Sequence, residues 1–344
     1  MAAWGLHVQL VRTLLDLGAN VNAPIGSSRK DTALTLTLHC PRTSRPSADK
    51  EESRYQVARL LIEKGANVNS ADALGRSPLS HAAESSTLNT FKLLLESGAD
   101  PGIADNKGKT VTQYIAERAN ATEFLEILEH AAVPADIDQA DGDGYTPFLR
   151  AVRNDDINLA RYLLTRGANP LARTTDGRTA LQLAAPYGPL EMLRLLLTTS
   201  IDVNHSTSQD DSALLQVSHR HTDRAFPLLI LLEAGANPNV TSLRGWPRGT
   251  PLHVVCRMGS SALPGNEGED DGLLSIEALI KHGADVNATY SDERMALEDN
   301  VTPIGLAASY ASAKIRDRAI QLLLEAGARP DGLDDRGLPA FQPS

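Results

Sequence analysis

The sequence predicts an all-α solenoid of repeated helix-turn-helix-finger units, and three observations support this fold class. A helix-like apolar segment ending in Gly-Ala recurs along the 344-residue chain. A second marker, Ser or Thr followed by Pro or Ala and then an apolar residue, precedes it at a similar distance. Aromatic residues make up only 4% of the chain, which argues against a large globular enzyme core. A fixed period of this kind is typical of stacked units that cannot bury an apolar face alone.

The glycine marker sets the period and predicts the end of each second helix. Gly65 and Gly98 are 33 residues apart, and a further 33 residues leads to Ala131 in a degenerate copy. Glycine ends a helix readily because it adopts the left-handed conformation without a Cβ clash. The marker occurs at Gly18, Gly65, Gly98, Gly167, Gly235, Gly283 and Gly327.

The second marker predicts the start of each first helix. Ser77-Pro78-Leu79 lies 21 residues before Gly98, and Thr146-Pro147-Phe148 lies 21 residues before Gly167. Serine and threonine are good N-caps, and proline suits the first helical position, where its missing N–H costs nothing. Related starts occur at Thr32, Thr110, Thr179, Ser212, Thr250 and Thr302.

These two markers together resemble the ankyrin repeat, in which Thr-Pro-Leu-His begins the first helix and Leu-Leu-x-x-Gly-Ala ends the second. The resemblance covers nearly the whole chain in about eight units, several of them degenerate. It implies an ankyrin-repeat solenoid with a concave face of first helices and finger tips. Only His253 matches the family's histidine. We expect a lost hydrogen bond and a softer helix start at the other repeats, which carry Ser80, Leu149, Gln182, Leu215 and Gly305.

The spacing predicts one repeat array over residues 1–344, with a truncated repeat at each end. Thr32 to Gly65 and Thr250 to Gly283 each span 33 residues instead of 21, an excess of 12. The extra residues form predicted insertions at 40–54 and 260–272, either solvated loops or loops that bind a partner or accept phosphate. Residues 288–300 are predicted to form an enlarged finger.

Charge and composition narrow the class of partner. A net charge of −10 and a pI near 5.4 argue against nucleic-acid binding. No segment has the length of apolar residues that a membrane span needs, and the first residues do not resemble a secretory signal. Cys40 and Cys256, the two cysteines, are expected to be reduced thiols. We therefore predict an intracellular protein, cytoplasmic or nuclear.

The sequence contains no recognisable catalytic or cofactor motif. His219 and His221 are the nearest approach to a metal cluster, with Asp210 and Asp211 close in sequence. No further ligand spacing supports zinc there, and phosphate loops and nucleophile elbows are absent from the sequence. We predict a protein that is not an enzyme and that has no cofactor and no metal.

The resemblance implies a protein–protein interaction scaffold, which binds through the concave face and finger tips, and we predict that the chain is a monomer. Basic tips on an acidic chain suggest an acidic segment in the partner. Trp246 is the sharpest candidate, because tryptophan is enriched in interface hot spots, although it could instead fold back on a neighbouring finger. The candidate partner-binding residues are Leu74, Arg76, Asn106, Lys107, Tyr145, Arg173, Arg178, Arg244, Trp246 and Arg248.

Two asparagines are candidate modification sites. In ankyrin repeats, an asparagine after Asp-Val resembles a substrate of an asparaginyl hydroxylase, which implies Asn204 and Asn287 as acceptors. The structural alternative is that each side chain stabilises the turn by bonding its own backbone.

Two other functions remain open at the level of sequence. The array could be the recognition arm of a longer protein whose catalytic part lies outside residues 1–344. It could instead house a small-molecule or catalytic site in its groove, with His219, His221 or Tyr290 as polar lining.

Overall fold

The structure is a computed structural model, and the predicted all-α fold is confirmed. It describes residues 2–3, 5–25, 30–39, 48–118, 121–130, 136–207, 211–220, 223–242, 249–258, 268–292, 297–308 and 313–330. The first nine helices are α1 (Val8–Asp16), α2 (Ala33–Leu38), α3 (Ala48–Glu63), α4 (Pro78–Ser85), α5 (Leu88–Glu96), α6 (Val111–Ile115), α7 (Ala121–His130), α8 (Pro147–Arg153) and α9 (Ile157–Thr165). The rest are α10 (Ala180–Ala184), α11 (Leu190–Leu197), α12 (Ala213–Ser218), α13 (Ala225–Glu233), α14 (Pro251–Met258), α15 (Gly268–Lys281), α16 (Pro303–Ala308) and α17 (Ala313–Glu325), with strands β1 (Tyr290–Asp292) and β2 (Leu297–Val301) between α15 and α16.

The chain divides into two compact units, unit 1 (Met1–Thr175) and unit 2 (Asp176–Ser344). In each unit, every first helix contacts the second helix that follows it, and helices of the same kind stack side by side. Unit 1 therefore has a layer of first helices, α2, α4, α6 and α8, against a layer of second helices, α1, α3, α5, α7 and α9. Unit 2 has the same two layers, with α10, α12, α14 and α16 against α11, α13, α15 and α17.

The first helices begin at the predicted caps. At four of these caps the hydroxyl accepts a hydrogen bond, at 3.2–3.3 Å, from the main-chain N–H three residues further on. Pro78 and Pro147 occupy the first turn of their helices. A cap of this kind contributes about 1 kcal/mol to helix stability. The capping residues are Thr32, Ser77, Thr146 and Thr179.

The second helices end as the glycine marker predicts. All seven marker glycines have φ between +83° and +92°. At Gly65 the N–H donates to the Ile62 carbonyl at 2.9 Å, and the Ala66 N–H donates to the Leu61 carbonyl at 2.9 Å. These two hydrogen bonds satisfy the Ile62 and Leu61 carbonyls, which the last turn of α3 would otherwise leave without partners.

The core lies between the two layers of each unit. Four residues before each glycine stands a leucine, and in α3, α5, α9, α13, α15 and α17 it is at most 1% exposed. Leu14 of α1 occupies the same position and is 43% exposed. The difference arises because α1 has no first helix of its own within the described part of the chain.

The predicted insertions and the enlarged finger are partly regular. Helices α3 and α15 begin at Ala48 and Gly268, so residues 48–54 and 268–272 are helical, while 40–47 and 260–267 lie outside the described residues. Asp271 accepts the Ala225 N–H at 2.8 Å, which caps the start of α13. In the enlarged finger β1 and β2 pair antiparallel.

His253 joins the start of α14 to the enlarged finger. Its Nδ1 accepts hydrogen bonds from the Thr250 N–H (3.2 Å) and hydroxyl (2.9 Å). Its Nε2 faces the carbonyls of Ala288 (3.1 Å) and Val301 (3.2 Å), so the proton is on Nε2. One buried ring therefore binds both ends of the finger.

Glutamine performs the same role in two other repeats. Gln182 Oε1 accepts the Thr179 N–H at 3.1 Å, and its Nε2 donates to the Asp211 carbonyl at 3.0 Å. Gln113 accepts the Thr110 N–H at 2.7 Å in the same way. The expectation that Gln182 loses the helix-start hydrogen bond is wrong, because an amide presents an acceptor and a donor much as neutral imidazole does.

Replacing His253 with glutamine should remove one source of acid sensitivity. Burial lowers the pKa of His253 to about 4 from 6.5. Below pH 6.5 the unfolded chain binds a proton at His253, whereas the folded chain binds it only near pH 4. The free energy of unfolding therefore falls as the pH drops through this window. We expect His253→Gln to abolish a loss of ~2 kcal/mol between about pH 7.5 and about pH 5, measured by urea unfolding.

The reciprocal change, Gln182→His, is the matched control and should introduce acid sensitivity at α10. An identical acid loss in wild type and His253→Gln would show that the buried ring does not control this titration.

Candidate partner-binding surface

Each finger that leads into α4, α6 or α8 is built around one aspartate, which is Asp72, Asp105 or Asp141. Its Oδ1 accepts the N–H groups two and four residues further on, at 2.8–3.1 Å. The main chain closes the same loop, since the aspartate N–H donates to the fourth residue's carbonyl at 2.9–3.0 Å. The carboxylate thus fixes the finger's conformation.

The second carboxylate oxygen ties the finger to the first helix that follows it. The donor lies nine residues after the aspartate in each case, although its chemistry differs. These donors are His81 Nε2 for Asp72 (3.1 Å), the Tyr114 hydroxyl for Asp105 (2.6 Å) and the Arg150 guanidinium for Asp141. Finger and helix are therefore held as one piece.

Ionisation of these groups follows from their contacts. Burial alone would raise the pKa of Asp72, but hydrogen bonds from His81 and from the Arg76 main chain, together with the Arg76 charge, hold that pKa well below its usual value. Burial and the hydrogen bond to Asp105 raise the pKa of Tyr114 far above its usual value. At neutral pH the Asp72 carboxylate is therefore charged and the Tyr114 hydroxyl is neutral.

Neighbouring fingers of unit 1 are joined by main-chain hydrogen bonds. The bonds run from Asn106 N to Leu74 O (2.9 Å), Gly142 N to Lys107 O (2.7 Å) and Thr175 N to Asp143 O (3.0 Å). Gly144 has φ +80°, and a Cβ there would lie 2.5 Å from Thr175 N, so a side chain is excluded. We call the exposed tips, Ala73–Leu74, Asn106–Lys107 and Gly142–Asp143, the finger surface.

Several predicted partner-binding residues lie on or near this surface. Leu74 is 58% exposed, and Asn106 and Lys107 are exposed beside it. Arg173 is exposed just before the next finger. Tyr145 is half-buried, with its ring under the guanidinium groups of α8.

Other basic residues of the fingers are already paired within the chain. Arg76 contacts the carboxylates of Asp72 (3.2 Å) and Glu84 (3.3 Å). Lys109 Nζ lies 2.6 Å from the Glu117 carboxylate, and Arg178 Nε lies 2.9 Å from the Asp176 carboxylate. These three cations are therefore not the free basic tips that the sequence suggests.

The predicted hot spot at Trp246, with Arg244 and Arg248, lies outside the described residues. These three positions remain a prediction from sequence.

The two candidate hydroxylation sites belong to a ladder of asparagines between repeats of unit 2. Asn204 donates to Gly235 O (3.1 Å) and accepts from Asn237 N (2.7 Å), and Asn287 donates to Gly327 O (3.0 Å) and accepts from Arg329 N (2.9 Å). The interpretation that each side chain bonds its own turn is wrong, because both amides reach the next repeat. Hydroxylation stays a prediction.

The residues suggested for a metal or catalytic site have structural contacts. His219 Nδ1 lies 2.7 Å from the Leu215 carbonyl of its own helix, and the Tyr290 ring packs edge-on against His253. Within the described residues, no group of three His, Cys, Asp or Glu could hold a metal ion. Cys256 is free and buried, and burial raises its pKa to about 12. His221 and Cys40 lie outside the described residues.

The finger aspartate is the structural element of the candidate surface that sequence reasoning missed. The signal was present as Ala-Asp-x-x-Gly at residues 71–75, 104–108 and 140–144. It precedes each cap by five residues, so it could have been recognised as an aspartate-stabilised turn.

Comparison with known proteins agrees with this architecture. A family model described as ankyrin repeats in three copies matches residues 48–105 and 112–207. A fowlpox virus protein named as an ankyrin repeat protein, FPV031, is 28% identical over 163 residues, 47% of this chain and 42% of its own length. The mouse B-cell lymphoma 3 protein homolog is 29% identical over 147 residues, 42% of this chain and 29% of its own. The human ankyrin repeat and KH domain-containing protein 1 is 39% identical over 77 residues, 22% of this chain and 3% of its own.

Over residues 48–105 and 112–207 the chain is thus built of ankyrin repeats. Ankyrin repeats generally mediate protein–protein interaction, and the family is generally non-catalytic. The chain spans less than half the length of each of these three relatives. Among the described helices, none combines the length and the apolar character needed to cross a membrane.

Removing the Tyr114 hydroxyl should loosen a finger more than removing a matched hydroxyl elsewhere. Tyr114 is 5% exposed and its hydroxyl lies 2.6 Å from Asp105, whereas the half-buried Tyr162 donates to exposed Glu129 at 3.0 Å. We expect Tyr114→Phe to cost ~2 kcal/mol in urea unfolding and Tyr162→Phe about 0.5 kcal/mol. Equal losses would contradict the anchoring role of the Asp105 carboxylate.

Proposed function

We propose that this chain is a non-catalytic scaffold that binds a partner protein through its concave face and finger tips. The finger surface carries the proposal. Its tips are exposed side by side, and each is fixed by an aspartate and by a main-chain bond to the next finger. A surface that is already ordered binds at a lower entropic cost than a mobile one.

Leu74 is the proposed apolar anchor of this surface. A leucine that is 58% exposed can be buried by a partner, and a fully buried leucine contributes about 1.5–3 kcal/mol. Asn106 and Lys107 lie on the adjacent tip, which its main chain joins to Leu74, and supply hydrogen-bond donors beside the anchor. The arrangement of an apolar anchor with a polar rim is typical of protein interfaces.

Charge favours an acidic segment in the partner, though through fewer residues than the sequence suggests. Arg76, Lys109 and Arg178 pair with carboxylates of this chain. Lys107 and Arg173 are exposed and remain as the candidate contacts for a partner's carboxylates. The net charge of −10 supports a protein partner over nucleic acid, and we propose a monomer that acts in the cytoplasm or nucleus.

A second candidate function is that the array is the recognition arm of a longer protein. The observation that favours it is the coverage of relatives, since matched segments make up 3% of the human ankyrin repeat and KH domain-containing protein. That relative's name joins ankyrin repeats to a different domain. No observation on the described residues favours a small-molecule or catalytic site in the groove.

Changing the finger surface should abolish capture of the partner. We expect the double variant Leu74→Asp, Lys107→Glu to lower recovery of a cross-linked partner from cell extract by about tenfold or more, because the apolar anchor and a neighbouring charge are both lost. Recovery would be measured by quantitative mass spectrometry with the full chain as bait.

The matched control is Leu10→Asp, Lys92→Glu, which makes the same chemical changes on the second helices α1 and α5 of unit 1. Leu10 is 48% exposed, close to the value for Leu74. The control should recover the partner like wild type, with helical circular dichroism unchanged in both variants. If both variants lost the partner, or if neither did, the proposal that the finger surface is the binding site would be contradicted.

A further inference from the structure

The ring of Tyr145 lies beneath two arginines of α8. The guanidinium carbon of Arg150 is 4.5 Å from the ring centroid, and that of Arg153 is 5.1 Å away. Arg150 forms an ion pair with Asp141 and lies 3.8 Å from Glu117. Arg153 is exposed, and within the part of the chain that the structure describes it makes no ion pair.

The second helices contain a complete version of the same arrangement. Arg166 lies 5.1 Å from the Tyr162 ring centroid, the same separation as between Arg153 and Tyr145. Its Nη1 is 2.8 Å from Glu129, whose other oxygen accepts the Tyr162 hydroxyl. Here the chain itself supplies a carboxylate to an arginine held against tyrosine.

The remaining cation–ring contacts of the described residues are also completed by oxygen ligands. Lys109 lies over the Tyr114 ring and pairs with Glu117 at 2.6 Å. Arg118 lies over the Phe124 ring and donates to the carbonyl of Ala83 at 2.8 Å. Arg153 differs from these cations because no residue in the described part of the chain supplies an oxygen ligand to its guanidinium group.

The repeat register shows that the charge at this position is reversed. Twelve residues after the finger aspartate stand Glu84 in α4 and Glu117 just after α6, and each pairs with a cation of its own finger. The same position in α8 is Arg153, and the finger residue is Tyr145. The substitution leaves a positive charge on the first-helix side of the finger, where the other two repeats are internally paired.

We propose that Arg153, held against Tyr145, binds a carboxylate side chain of an acidic segment in the partner protein. The inference rests on the proposed function, because it assumes that the finger and first-helix face of unit 1 binds protein. Stacking restricts the guanidinium, so less entropy is lost on binding, and its N–H groups match a carboxylate in two-point geometry. Charge complementarity selects the acidic segment as the occupant.

The test follows the Arg153 Nε–Hε signal of the isotope-labelled full chain by NMR. The probes are a short capped peptide of alternating glycine and glutamate and its glutamine counterpart. We expect the glutamate peptide alone to shift the Arg153 signal saturably, with no shift of Arg166. Arg153→Gln should weaken binding of the glutamate peptide about tenfold, whereas the matched control Arg166→Gln should change it less than about twofold.

Three results would overturn the inference. One is no difference between the two peptides, and another is an equal shift of Arg166, which would indicate general screening. The third is saturation by inorganic phosphate or a short oligouridine but not by the glutamate peptide, which would assign a phosphate-bearing ligand instead. The NMR measurement needs no identified partner. It can therefore fail while the Leu74→Asp, Lys107→Glu variant still loses its partner, and it can succeed while that variant keeps its partner.

Discussion

The structure of the finger surface depends on one buried or half-buried carboxylate in each finger that leads into α4, α6 or α8. One oxygen of each finger aspartate holds the turn by accepting two main-chain N–H groups, and the other binds a side chain of the following helix. A finger built this way presents fixed carbonyl and N–H groups, so the next finger can bond to it through its main chain. Local turn, helix attachment and finger alignment thus share a single charged group.

The repeats keep this geometry while they change its chemistry. A histidine, a tyrosine and an arginine bind the three finger aspartates, because each can place a donor at the same point. At the helix starts, His253 and Gln182 likewise perform the same role in different repeats. What stacking requires is a donor or an acceptor at a given place. Degenerate repeats can therefore retain their hydrogen bonds.

Internal pairing decides which polar residues are available to a partner. Arg76 and Lys109 are basic in sequence, yet they pair with Glu84 of α4 and with Glu117 just after α6. Leu74 and Lys107 stay exposed on the tips, and Arg153 keeps its charge beside an aromatic ring. Among the described residues, recognition is thus expected to rest on the few exposed groups that form no ion pair within unit 1.

The sequence alone determined the helical repeat, its caps and its glycine ends, because these depend on residues within one turn of each other, as at Ser77 and Gly65. It also located the finger tips around Leu74. It could not show that Arg76 is paired or that Asn204 reaches the next repeat, since those partners lie eight and 31 residues away. Such contacts exist only once stacking has brought the helices and turns together, so the tertiary structure decided which side chains remain free.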